Sequence, residues 1–458
     1  MSTQTGENRA DGAPHRASAT LSRPGTPSLL RELNDRAALE LLLDGRSLTR
    51  AQLSELTGVS KVTVAQMLAR LEDRGLVAAV GAQAGGRGPN AALYSVVPSS
   101  AYVAALYVEH GLVSTAVADV TGRVIAEARI AEAHDDGFGR EDPVELVRSA
   151  VDRACRQAGV SVSMLSAFVI GSPGVVDPVT GDPRLSYNLP AWQDGVLAGL
   201  RGALHKNVLI ENDVNLAAMA EHALGAAGGT DDFVLIWLGV GVGLATVLGG
   251  RLHRGASGAA GEIGFLPVPG APITADVGHP ADGGLQWLAG ADAVCALAAK
   301  HGFGADIVGA TNGANAGDVV RAAVAALGVP AVPGVSAANA GDWTPASLRV
   351  PEAARAAAEP GSAEDRAERF LAELARRVAL GAAAVCTVID PGLVVLGGEV
   401  GLAGGAALAD RVAAEVTRLC PVRPSVVPTT VASEPVLRGA LLTAAHRARA
   451  DLLASIAD

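Results

Sequence analysis

Asn212 and Asp213 stand where an apolar run, residues 208–210, gives way to a helical pattern over 214–224. An amide and a carboxylate at the end of a buried strand offer a donor and several acceptors to adjacent hydroxyls, and α/β proteins form ligand sites at such strand ends. Either residue can instead simply N-cap the following helix, the commoner use of Asn and Asp there. A second group has different chemistry. Lys61, Val62, Thr63 and Gln66 fall on one side of a short helical segment whose other side carries Val64, Leu68 and Leu71. Glutamine bonds bidentately to adenine, valine contacts a thymine methyl, and lysine or threonine reaches a phosphate or a base edge. The alternative for this segment is a trihelical packing module with a polar outer face.

Presenting that face to DNA requires a particular set of elements. Leu30, Leu33, Ala37 and Leu41 recur at helical spacing, which predicts an amphipathic helix ended by Gly45. Thr49 can cap a second helix that stops at Gly58, and Ser60 a third that reaches Arg74 and stops at Gly75. Helix, glycine-containing turn and helix form the helix-turn-helix signature. Residues 76–80 and 91–97 read as two strands around a stretch rich in turn residues, which makes a wing. Arg87 lies there between glycines, placed either to enter a minor groove or to be an ordinary exposed arginine. Residues 28–97 therefore read as a winged helix-turn-helix DNA-binding domain. Residues 1–27, rich in Ser, Thr, Pro, Gly and Arg without an apolar core, read as a disordered leader rather than a signal peptide.

Charge divides the chain the same way. Residues 1–97 hold 11 Lys and Arg against 9 Asp and Glu, net +2, whereas residues 98–458 hold 25 against 38, net −13. The acidic remainder is not expected to touch nucleic acid. A hydrophobic content of 49% supports sizeable packed cores. The nearest approach to a membrane span, residues 233–248, is interrupted by glycines and followed by Arg251, His253 and Arg254, so it reads as buried strand and a cytoplasmic location is expected. Cys155, Cys295, Cys386 and Cys420 form no CxxC pair, which argues for reduced core thiols and against a local zinc cluster. After Pro98 the pattern becomes strand, strand and helix, with strands over 102–108, 112–119, 167–170, 208–210 and 233–238, and the domain is α/β.

The later motifs are more specific. Glu211-Asn212-Asp213 and Gly261-Glu262-Ile263-Gly264 are preceded by Ser172-Pro173-Gly174 and Asn188-Leu189-Pro190, and followed by Asp390-Pro391 and Gly397-Gly398. With the Gly-Gly-Arg wing, this order resembles the ROK family of repressors, open reading frames and kinases, over residues ~30–450. The resemblance implies an α/β fold in which the winged helix-turn-helix is followed by a two-lobed actin/hexokinase-like ROK domain, residues 98–458, serving effector binding and oligomerisation. In the family's kinases an Asp takes a proton from a sugar hydroxyl, and Asp213 matches that base. Asn212 and Glu262 match sugar-hydroxyl ligands, and Gln286 stands where a sugar-contacting Glu is usual.

The ATP end departs from the family pattern. Tyr107, Val108, Glu109, His110 and Gly111 occupy the Asp-x-Gly-Gly-Thr turn, where a carboxylate repels phosphate and side chains block the backbone. Val240 stands where a phosphate-binding Thr is expected, and Gly397-Gly398, which faces adenosine in kinases, reads as a turn or as that motif. Phe265 replaces the zinc-ligating His, and residues 271–285 hold no cysteine, so no metal is expected. Trp287 reads equally as a stacking face or a core residue. The resemblance, with these departures, implies a homodimeric or homotetrameric repressor of carbohydrate genes that binds a double-stranded operator and a sugar effector, takes no cofactor and has no kinase activity, with Asp213 only a ligand contact. The alternatives are an ATP-dependent sugar kinase with an accessory DNA-binding head, and a ligand-independent DNA-binding regulator. Residues 302–360, rich in Ala, Gly and Pro, yield no complete assignment.

Overall fold

The computed structural model describes residues 27–83, 90–109, 112–131, 142–184, 195–204, 207–303, 316–329 and 361–457. The chain divides into two compact units: Met1–Ser95 together with Leu453–Asp458, and Val96–Leu452.

In the first unit, α1 (Pro27–Leu43) is followed by β1 (Leu48–Thr49), α2 (Arg50–Thr57), α3 (Lys61–Asp73), β2 (Val77–Gln83) and β3 (Ala91–Val96). Thr49 closes a capping box with Gln52, and Gly58 ends α2 at a φ of 71°, a left-handed conformation open to glycine. The Ser60 hydroxyl caps α3 by accepting from the Thr63 N–H. Strand β1 pairs antiparallel with β3, and the three strands order as β1-β3-β2. At two residues, β1 is too short to leave an alternating pattern in the sequence. The buried face of α1 differs from the expected one: Asp35, Ala38, Leu39, Leu42 and Leu43 turn inward, while Leu30 and Leu33 are exposed. Burial of Ala38, Leu39, Leu42 and Leu43 sets that face, and Asp35 on the same side accepts from Arg70 of α3 with both oxygens, at 2.7 and 2.5 Å. The chain's end belongs to this unit, and Arg74, the C-cap of α3, donates to the Ser455 carbonyl at 2.5 Å.

The second unit contains two five-stranded mixed sheets built on one plan. In the first, β4 (Tyr102–Glu109), β5 (Leu112–Asp119) and β6 (Val124–Ala131) form an antiparallel meander. Then α4 (Pro143–Ala158) leads to β7 (Leu165–Ser172), parallel to β4. The short strands β8 (Val175–Val176) and β9 (Pro183–Arg184) pair with each other, and α5 (Val196–Leu204) precedes β10 (Val208–Asn212), parallel to β7. The sheet order is β10-β7-β4-β5-β6. After α6 (Asp213–Leu224) the plan repeats with the antiparallel β11 (Phe233–Leu238), β12 (Val242–Leu248) and β13 (Arg251–Leu252). Helices α7 (Gly284–Ala289), α8 (Ala291–Lys300), α9 (Ala316–Ala326) and α10 (Ala363–Ile389) intervene before β14 (Leu393–Gly397), parallel to β11. Last come α11 (Gly398–Leu419), β15 (Ser425–Pro428) and α12 (Pro435–Ala454), giving the order β13-β12-β11-β14-β15.

Each sheet carries its own core. Leu106, Phe168 and Ile170 pack with Val147 of α4 and Leu200 of α5, while Ile236, Val394 and Leu396 pack with Phe370 and Leu374 of α10 and Leu408 of α11. All four cysteines are free, and burial pushes the Cys155 and Cys386 thiols up to about 11. Among the described residues no helix is long and apolar enough to cross a membrane.

Gly397-Gly398 begins a helix rather than a simple turn: a Cβ on Gly398 would lie 2.3 Å from the Leu238 carbonyl oxygen, so α11 starts against the end of β11. A similar contact seats α12 on α6, since a Cβ on Gly439 would lie 1.9 Å from the Leu216 carbonyl oxygen. Backbone cannot yield as a flexible side chain does, so Gly439→Ala is expected to cost about 1–3 kcal/mol. Thermal unfolding reads this as a lowered midpoint, and an unchanged midpoint would contradict the contact.

Candidate functional site

On α3, Val64, Met67, Leu68 and Leu71 are buried against the unit's core, and the opposite row faces outward. Lys61 and Gln66 are exposed, and Val62 is 69% exposed. Thr63 is half-buried, and its hydroxyl shares a 2.9 Å hydrogen bond with that of Ser60. The four therefore lie together on the N-terminal part of one well-anchored helix. Arg87 lies outside the described residues. At the start of α2, Arg50 donates to the buried Tyr94 hydroxyl at 2.5 Å and ties that helix to β3. Neither this pair nor Asp35–Arg70 was anticipated. Both join residues far apart in sequence, and only an acid on the inward side of α1 could have hinted at the second.

The candidate sugar residues sit in the second unit, Asn212 and Asp213 at the junction of β10 and α6. Asn212 N-caps α6, its Oδ1 accepting from the Asn215 N–H at 3.0 Å, and its Nδ2 donates to the Gly174 carbonyl at 3.0 Å. The capping role and the ligand-site geometry thus occur in one residue. Asp213 is the first residue of α6, and its Oδ1 accepts from the Val214 N–H at 2.8 Å. Glu211 is buried at 4% exposure and is met from two sides. Asn215 donates to one oxygen at 2.9 Å, and the Arg254 guanidinium reaches the other at 2.6 and 2.7 Å.

Arg254 opens the loop that carries Glu262, so this ion pair brings the second motif to the first. The loop also touches the segment after β7: a Cβ on Gly258 would lie 1.9 Å from the Val176 carbonyl oxygen. Gly261, at a φ of 107°, is as close to the Leu244 carbonyl oxygen, and its own carbonyl accepts from the Leu244 N–H at 2.8 Å. Glu262 is half-buried, has no side-chain partner among the described residues, and burial pushes its carboxyl above the usual range. A carboxylate in that condition is suited to accepting hydrogen bonds from ligand hydroxyls.

Gln286 has a different place. On α7, its Oε1 accepts from the Val242 N–H at 2.8 Å and its Nε2 donates to the Val240 carbonyl at 2.8 Å, so both ends of its amide clamp the turn between β11 and β12. Trp287 beside it is 50% exposed and is not a core residue. At the end of β4, Tyr107 is 9% exposed and packs close to Gly171, which Val436 of α12 also approaches. A cavity of about 210 Å³ lies there, lined by Tyr107, Trp237, Glu434, Pro435 and Val436. Glu434 pairs with Arg129 at 2.6 Å. The Glu109 side chain, His110 and Gly111, and the Asn188-Leu189-Pro190 motif, lie outside the described residues.

The ROK family model matches residues 113–327, and the MarR family model matches residues 33–88. The chain carries a ROK-family domain behind a MarR-family winged helix. A putative xylose repressor of Caldicellulosiruptor sp. is 27% identical over 247 residues, 53% of this chain and 61% of that one. The protein thus spans less than two thirds of the curated relatives it matches. A solved ROK family transcriptional regulator, described as a homologue of the E. coli MLC protein, superposes at a TM-score of 0.66 and 18% identity, covering 93% of this chain and 99% of that one. The ROK hexokinase of Thermus thermophilus superposes at 0.53 and 27% identity, over 75% of this chain and 97% of the enzyme. The two repeated sheets are the two lobes of the ROK fold.

Within the ROK domain, Arg254 is the residue whose loss should loosen the junction of the two motifs. Arg254→Ala removes the cation facing a buried carboxylate and is expected to cost about 1–3 kcal/mol in denaturant unfolding, whereas Arg254→Lys retains part of it. An alanine variant with an unchanged midpoint would remove Arg254 from this role.

Proposed function

We propose that the protein is a sugar-responsive, DNA-binding transcription repressor that does not transfer phosphate. The observation that carries this reading is the outer row of α3. Lys61, Val62 and Gln66 are exposed on a helix capped at its start and buried along its other side, and an exposed β-branched apolar side chain there suits a thymine methyl. Two copies of the chain set two such helices on successive major grooves of a pseudo-palindromic operator, with Arg87 reaching the minor groove. The effector is a sugar or sugar derivative held by Asn212, Asp213 and Glu262. Gln286, whose amide is engaged with the backbone of the β11–β12 turn, is the least direct of the four candidate contacts. The matched relative's description as a putative xylose repressor puts D-xylose first among the sugars to try.

Loss of phosphoryl transfer follows from electrostatics and positioning, which supply nearly all catalysis of that reaction. Tyr107 fills the place of the kinase Asp at the end of β4 and is packed against neighbouring side chains. Asp213 then acts as a hydroxyl acceptor only. The kinase reading retains two supporting observations, Asp213 at the start of α6 and the likeness of the ROK domain to a ROK hexokinase. Coupled detection of ADP with a panel of hexoses and pentoses is expected to show no turnover above the protein-free rate, and sustained turnover would restore that reading.

The regulatory reading is tested by mobility shift on DNA upstream of the protein's own gene, at fixed salt, with D-xylose, other monosaccharides and phosphosugars. Release by one of them is expected, and tight binding indifferent to all would remove the switch. Gln66→Ala is expected to relax base preference at one position by about 1–3 kcal/mol, and Arg87→Ala to weaken binding evenly across sequences. Equal loss of preference in both variants would contradict these assignments.

A further inference from the structure

Helix α12 crosses the division between the two compact units. It begins at Pro435 in the second, and its last residues, Leu453 and Ala454, belong to the first together with the 3-10 turn Ser455–Ala457. Each end is held by contacts within its own unit.

In the second unit α6 holds α12 at two places. The Glu221 carboxylate, near the end of α6, accepts from the Thr430 and Val431 N–H groups and from the Thr429 hydroxyl, in the segment that leads into α12. Nearer the start of α6, the Leu216 carbonyl oxygen lies 1.9 Å from where a Cβ on Gly439 would stand, so the two helices meet backbone to backbone. Glu434, the residue before α12, takes a left-handed φ of 48°, uncommon outside glycine, and pairs with Arg129 of β6. Further along, Arg449 donates to the Val120 and Thr121 carbonyls at 2.9 and 3.1 Å. Helix α6 is the one that Asn212 caps and Asp213 begins, so the candidate sugar contacts and the seat of α12 share one element.

In the first unit the turn Ser455–Ala457 packs on α1, with Ile456 only 7% exposed. Arg74, which ends α3, donates to the Ser455 carbonyl at 2.5 Å and to its hydroxyl at 3.4 Å. Helix α3 carries Lys61, Val62, Thr63 and Gln66, so this turn holds the far end of the helix proposed to read DNA. Between the two sets of contacts, from Gly439 to Ala454, α12 runs for about 22 Å at ~1.5 Å per residue. A ligand moves a distant equilibrium only through a structure that both sites bias, and small shifts of packed helices are a common form of it.

We propose that α12 couples the sugar site to the DNA-reading helix: it is seated on α6 at one end and bonded through Ser455 to the C-cap of α3 at the other. This rests on the regulatory reading and names the route by which that regulation travels.

The test compares the unaltered chain with one carrying two glycines inserted between Leu452 and Leu453, which interrupts α12 and leaves both sets of contacts in place. Coupling is read by mobility shift, as the ratio of affinities for the upstream duplex without and with D-xylose, or with the sugar of the panel that releases the unaltered chain. A ratio of about 5–150 in the unaltered chain is expected to fall below about twofold in the insertion variant, while its sugar affinity in the absence of DNA is unchanged. Arg74→Ala is expected to lower the ratio by roughly threefold or more, and Arg74→Lys, which keeps a donor, by less. An insertion variant released as fully as the unaltered chain overturns the proposal and moves the route to the other covalent connection, where β3 ends.

A second readout needs no sugar, which separates failure of this route from failure of the regulatory reading. Because coupling is reciprocal, duplex DNA alone is expected to change amide exchange along α12 and at the start of α6 in the unaltered chain, and not in the insertion variant. Exchange in both helices that is indifferent to DNA in the unaltered chain overturns the proposal whether or not a sugar is found. A DNA-dependent change with no releasing sugar supports the route and removes the sugar switch alone. If the insertion variant fails to fold, the Arg74 variants and exchange on the unaltered chain decide.

Discussion

A carboxylate buried at the end of a sheet strand must be neutralised or bonded on every side, and Glu211, at the end of the edge strand β10, imposes that condition on the second unit. Its partners are Asn215, one turn into α6, and Arg254, at the head of the loop that delivers Glu262. One buried group thus joins the two motifs that carry the candidate sugar ligands. The close backbone approaches at Gly258 and Gly261 then fix where that loop runs. The far end of α6 is held the same way. Glu221, at 0% exposure, accepts from the Ala226, Thr430 and Val431 N–H groups and from the Thr429 hydroxyl. Helix α6 is therefore anchored at both ends by carboxylates, one paired with arginine and one satisfied by hydrogen bonds alone.

Around these anchors, the proposed function keeps sugar binding and gives up phosphate transfer. The residues proposed to hold the sugar are Glu262, whose carboxylate has no side-chain partner among the described residues, and the polar junction at Asn212 and Asp213. Where the family resemblance puts the kinase Asp, the largely buried Tyr107 stands at the end of β4. A domain that can bind a sugar without reacting it can couple occupancy to another equilibrium, which is what a regulator requires.

How much was legible in the sequence varied with the physics that set each element. The winged helix could be read almost residue by residue, because Thr49, Ser60 and Gly58 are local signals and their caps formed as local chemistry dictates. The inward face of α1 could not, because α1 carries two overlapping apolar rows, and Ala38, Leu39, Leu42 and Leu43 are buried in place of Leu30 and Leu33. Helix α12 left a weak pattern, since beside Val436, Leu437 and Leu441 it packs through small residues such as Gly439, Ala440 and Ala444. At the site, Asn212, Asp213 and Glu262 were legible from motif and strand-end position. The roles of Arg254 and Gln286 were not, because each depends on a contact across more than forty residues of chain.

The central claim is that one chain couples sugar occupancy to DNA affinity. Coupling is reciprocal, so it is measured most directly by titrating the releasing sugar into the protein alone and into the protein saturated with its operator. The account predicts that DNA weakens sugar binding by the same factor by which sugar weakens DNA binding, on the order of 5–150-fold. Equal sugar affinity in the two titrations would contradict it.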